Sequence, residues 1–184
     1  MRTPYLVQRA LNALSHSAFF AGVSERLLIW SARQVRLYFT DAEVRAAVQR
    51  RFERCVTPRT EVVVAHSLGT VVAYEGLCAH PQWQDVTFVT LGSPLGIRNL
   101  AFDRLVPAPV DGRGHWPEPV KSWTNIADRG DVVPMVKSLA ARFGERIVDV
   151  AVHNGAKAHD VTGYLTARET GRAVIEALGA APGD

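Results

Sequence analysis

The sequence predicts an α/β protein: a three-layer parallel sheet of about four strands behind an all-helical N-terminal segment. Three observations predict it. Short β-branched runs, apolar at nearly every position, recur in the last two-thirds of the chain. Helical periods separate or follow them, and such an alternation indicates parallel strands covered on both faces. The 184 residues, 47% apolar and 21% charged, suit one soluble domain, which at this size buries roughly 70% of its unfolded surface. One domain, 1–184, is therefore expected, with a helical segment at 1–58 and a β/α core at 59–184.

The elements follow in order. Residues 1–23 read as an amphipathic helix, because Gln8, Arg9, Asn12, Ser15 and His16 interrupt any signal-peptide core. Ser24 is the expected cap of a helix whose apolar positions are Leu27, Leu28, Trp30, Val35, Leu37 and Tyr38. A second helix, capped by Thr40 or Asp41, carries the stripe Val44, Ala47, Val48, Phe52 and ends before Pro58. Strands are expected at 61–65, 86–91, 120–126 and 146–152, and helices at 68–79, 132–143 and 161–178. Between Gly92 and Pro119 lies a long proline-rich connection without sustained period, the length at which loops are usually functional lids or disordered segments. It leaves the carboxyl end of a strand, where α/β sheets bind ligands.

Composition narrows the function. No run reaches the ~18 apolar residues of a membrane span. The two cysteines, Cys55 and Cys78, form neither a disulfide framework nor a metal spacing, and they read as core residues. The net charge of +3 is uneven: residues 1–60 hold ten Arg against four acids, the remainder eleven Lys and Arg against fourteen acids. No aromatics interleave with the basic "VQRRFER", so a solvated helix face, or a face docking on the acidic half, explains it better than nucleic acid. A cytoplasmic protein with no nucleic-acid partner is the expectation.

The chemistry starts at "VVVAHSLGTVVAYE", where β-branched residues run into His66-Ser67-Leu68-Gly69 and a helix begins at once. A serine hydroxyl is a weak nucleophile and must be both exposed and activated. A sharp strand–Ser–helix turn exposes it and asks for small residues two positions either side, here Ala65 and Gly69. It also sets the amide of the next residue, Leu68, toward a developing oxyanion. An ordinary serine N-cap explains neither small neighbour.

Together "VVVAHSLGTVVAYE", "VTLGSPLGIRN", "WTNIADRGDVVP" and "HNGAKAHDVTGYL" resemble segments of lipase- and esterase-like α/β-hydrolases. The likeness is to small actinobacterial members distantly similar to GPI-inositol-deacylase-type lipases, over roughly residues 25–178. It implies a hydrolase core with a Ser, Asp, His triad in that chain order, cleaving a carboxylic ester of a small or lipid-like substrate. No metal or cofactor is implied.

Asp131, ahead of Val-Val-Pro, is the preferred acid, with Asp128 the alternative as catalytic group or as turn residue before Gly130. His159, just before the last helix and followed by Tyr164, is the preferred base over His153. His66 is expected to line the sheet edge, and His16, His80 and His115 have no partner argument. The family carries an earlier strand and a His-Gly loop that completes the oxyanion hole, and nothing before Glu61 reads as either. An internal start, a short form completed by a helix or second subunit, and a degenerate binding module are the competing explanations. Without that strand 61–65 lies at or near a sheet edge, an exposed template through which the chain can self-associate. The triad does not separate esterase from peptidase or amidase, and a non-catalytic interaction module is the reading from outside enzymes.

Overall fold

The computed structural model describes residues 25–155 and 158–179, with the side chains of 25–32 left aside. The expected helix at 1–23 and the Ser24 cap lie outside them. Two helices come first, α1 (Glu25–Thr40) and α2 (Ala42–Cys55), followed by β1 (Val62–His66) and α3 (Leu68–Ala79). Next come β2 (Val86–Leu91), a short 3-10 turn (Phe102–Arg104), β3 (Val120–Asp128) and α4 (Ala140–Phe143). The chain ends in β4 (Ile147–Val152), α5 (Val161–Thr166) and α6 (Arg168–Gly179).

All four strands are parallel, in the order β1-β2-β3-β4. Strand alternation sends side chains to two cores. Val63, Phe88, Trp123 and Ile147 face the larger one, with Val71, Tyr74 and Leu77 of α3. Val89, Leu91, Ile126 and Val152 face the smaller one, with Tyr164 of α5 and Ala173 of α6. The central strand β2 is buried throughout, but coverage of the edge strands is incomplete: Val64 on β1 is 39% exposed and Val148 on β4 58%.

The N-terminal helices are attached through one buried carboxylate. Asp41 caps α2 by accepting from the amides of Glu43 and Val44. Glu75, 4% exposed on α3, accepts from Tyr38 at 2.6 Å, from Arg45 and from the Val106 amide. Arg45 is thus one basic residue of the first sixty that docks on an acid of the remainder. Gly76 lets α2 come close, since a Cβ there would meet the Phe52 ring at 2.4 Å.

The structure departs from the sequence expectation in several places. Helix is found only at the end of 132–143. Pro134 has no amide to donate and biases its predecessor to extended backbone, and the Asp149 carboxylate on β4 captures the amides of Leu139 and Ala140. The expected helix 161–178 is two, broken at Ala167, which is extended with φ −64° and ψ 137°. The Thr170 hydroxyl takes the Tyr164 carbonyl there at 2.7 Å. Cys55 is exposed, not core, and Leu37 of the α1 stripe is 49% exposed. The start of the long connection is not an open lid, because Ser93, Leu95, Ile97, Ala101 and Phe102 are buried. Among the described residues no helix is long and apolar enough to cross a membrane.

Candidate active site

Ser67 follows β1, Asp131 follows β3, and His159 stands between β4 and α5, so all three leave the carboxyl end of the sheet. Ser67 has φ 52° and ψ −128°, a left-handed backbone that a side chain adopts only at a cost of about 1–3 kcal/mol. The surroundings hold it there. Its amide donates to Leu91 of β2 at 3.0 Å, and its carbonyl accepts from the Thr70 amide and, at 2.7 Å, the Thr70 hydroxyl. The Thr70 hydroxyl is 2.8 Å from that of Ser93, and both residues are buried. Leu68 is the first residue of α3, and a helix leaves its first amides without intrahelical partners. Gly69 is not demanded by crowding, since a Cβ there meets nothing within 4 Å.

Asp131 is 1% exposed. Its Oδ2 accepts from His159 Nδ1 at 2.7 Å and from the Tyr164 hydroxyl at 2.7 Å, and its Oδ1 from the Val133 amide at 2.9 Å. Lys137 donates to the Asp131 carbonyl, and burial lowers the pKa of its ammonium. His159 Nε2 is 3.0 Å from Ser67 Oγ. An ionised carboxylate only accepts, so Nδ1 carries the imidazole proton and Nε2 is the acceptor for the serine hydroxyl. Ser67, His159 and Asp131 therefore form one unbroken hydrogen-bonded chain.

The alternatives are placed elsewhere. Asp128, fully buried, accepts from the amides of Gly130, Asp131 and Asn154, the work of a turn residue. Its own amide donates to the Tyr164 hydroxyl at 2.9 Å, so Tyr164 bridges the two aspartates. His153 is exposed and lines an open cleft of about 690 Å³ with Arg129, Asn154 and Glu169, a cleft that Ser67 does not line.

Two residues belong to the site that the sequence reading did not put there. His66 shares the face of Val62 and Val64, and its ring lies 4.7 Å from that of His159 and 5.7 Å from that of Tyr164. The alternation of β1 is the signal that places it on the α5 side. Gly92, at φ +54°, brings the backbone so close that a Cβ would stand 3.1 Å from both Asp131 Oδ2 and the Tyr164 ring. A glycine just after a buried strand marks such an approach. No group of His, Cys, Asp and Glu among the described residues could hold a metal ion. No family model, curated protein or solved structure matches the chain.

Proposed function

We propose that the protein is a serine hydrolase of α/β-hydrolase type that cleaves a carboxylic ester through an acyl-enzyme. The observation that carries this is the chain Asp131–His159–Ser67, with both links at hydrogen-bond length and Ser67 held at positive φ. Backbone strain of that kind persists where surroundings enforce it, and it clusters at functional sites.

His159 Nε2 takes the hydroxyl proton as Ser67 Oγ bonds to the ester carbonyl carbon. Asp131 holds the resulting imidazolium, and the Leu68 amide faces the oxyanion. When the tetrahedral species collapses, the carbon–oxygen bond to the alcohol breaks and His159 returns the proton to that oxygen. Water then repeats the sequence against the acyl-serine, with His159 as base, and releases the acid and free Ser67. An amide would follow the same course, so ester preference rests on the sequence resemblance alone.

One observation favours a second reading, a non-catalytic interaction module. The described residues offer no strand beside β1 and no His-Gly loop to supply a second oxyanion donor. Losing one such donor costs about 2.7–4 kcal/mol in the transition state. The open side of β1 is also where the proposed self-association is expected. The deciding experiment treats the purified chain with a fluorophosphonate probe and reads intact mass, with Ser67→Ala as control. One adduct that is absent from the variant supports the hydrolase. Folded protein without an adduct supports the interaction module.

A further inference from the structure

His66 has no part in the proton transfers above, yet it lies inside the site. It ends β1 directly before Ser67, on the face that carries Tyr164 and receives His159. Its Nε2 is buried without a hydrogen-bond partner of ordinary geometry, and the backbone of His159 acts on the same ring. What the imidazole does offer is a flat ring 4.7 Å from the ring of His159, tilted 39° to it.

His159 needs such a wall. It stands on a loop, 11% exposed, and is fixed by its two end contacts, Nδ1 to Asp131 and Nε2 to Ser67. Hydrogen bonds bend readily out of the ring plane, so the two contacts and the Cβ bond leave the ring soft to tilting, and a neighbour against the ring face limits that tilt. We propose that His66 is a positioning residue, whose ring lies against His159 and keeps that imidazole in the plane joining Asp131 to Ser67. The inference rests on the proposed hydrolase reading for its consequence, and on the ring geometry for its substance.

For this role His66 must be uncharged. His159, Asp131, Tyr164 and Asp160 are the ionisable groups around it. Burial lowers its pKa to about 4, helped by the charge of His159 and opposed by Asp131, the His159 backbone and Asp160. His66 is therefore neutral at neutral pH and adds no repulsion when His159 takes up the serine proton.

The test compares wild type with His66→Phe, which keeps a flat ring, and His66→Ala, which removes it; His66→Leu stands in if the alanine variant does not fold. Two readouts are taken per folded molecule: the fluorophosphonate labelling rate, and the low-field proton resonance of the His159 Nδ1–H bonded to Asp131. The phenylalanine variant is expected to label within about threefold of wild type with a sharp resonance, and the alanine variant about tenfold slower with a broadened one, as displacement of a reacting group produces. A merely structural role changes the folded fraction and leaves both readouts per folded molecule alone. Wild-type labelling and a sharp resonance in His66→Ala overturn the inference, as does an equal loss in His66→Phe. If no protein labels but the resonance broadens only in His66→Ala, the hydrolase reading fails and the positioning role stands.

Discussion

Removing one oxygen atom, in Tyr164→Phe, tests how the site is held together. The hydroxyl donates to Asp131 Oδ2 at 2.7 Å and accepts from the Asp128 amide at 2.9 Å, inside a residue with no exposed surface. A hydrogen bond to a charged group contributes about 1.5–3 kcal/mol, and a stranded buried amide costs about 1–3 kcal/mol. These overlap, because the unfolded chain solvates both groups, so the expected loss is about 3 kcal/mol. That is a large share of the ~5–15 kcal/mol of an ordinary domain, yet it leaves the protein folded at room temperature. With a urea slope of about 2 kcal/mol/M, the unfolding midpoint falls by about 1.5 M. Labelling falls much less than in Asp131→Asn, since His159 Nδ1 and the Val133 amide still hold the carboxylate. A midpoint within about 0.3 M of wild type would refute the bridge between the two aspartates.

Three further outcomes are expected. Ser67→Gly abolishes labelling but raises stability by about 1 kcal/mol over Ser67→Ala, because glycine accepts the φ of 52° without strain; equal melting of the two variants contradicts the strained turn. His66 binds a proton near pH 6.5 when unfolded and near 4 when folded. The unfolded state therefore holds more protons between those values, and stability drops as the pH falls through that window, by on the order of 3 kcal/mol for this group. Urea midpoints at pH 7 and 4.5 measure it, and a His66→Phe variant with an undiminished difference would sink the assignment. Glu75→Ala strands Arg45 and Tyr38 at the joint between the N-terminal helices and the core, for an expected loss of about 3–5 kcal/mol. Calorimetry checks it, and a change under about 1 kcal/mol means the joint is solvated.

Much of this was legible in the chain because it is periodic or local. The β-branched run 86–91 became β2 with its expected bounds, and Leu68–Ala79 became α3. Ser67 was readable because a strand, a small residue and a helix start meet within five positions. Asp131 was favoured over Asp128 by its neighbours, and the fold adds the reason: three backbone amides already occupy Asp128. What stayed hidden depends on partners far away in sequence. Residues 132–139 carry a helical pattern, but Pro134 interrupts it and Asp149, distant on β4, takes the amides of Leu139 and Ala140. The break at Ala167 needs Thr170 to reach back to Tyr164. The ring contact of His66 with His159 spans most of the β/α core, and no local window contains it.

The dispersed origin of the site has a consequence for how the protein loses activity. Ser67 follows β1 and His159 is tethered behind β4, so serine and base hang on opposite outer strands, of which β1 buries Val63 and β4 buries Ile147 and Val152, while β2 is buried throughout. Hydrogen exchange distinguishes such regions, since segments with few buried contacts open at a fraction of the global unfolding free energy. Opening β4 with the loop behind it withdraws the base, and opening β1 withdraws the serine, while β2 stays in place. Mild heat or low urea should then yield a compact, inactive species whose amides exchange in 147–166 before they exchange in 86–91. An acylated or phosphonylated serine that draws His159 inward would slow that opening, so inhibitor binding should be read as protection along a strand it never touches.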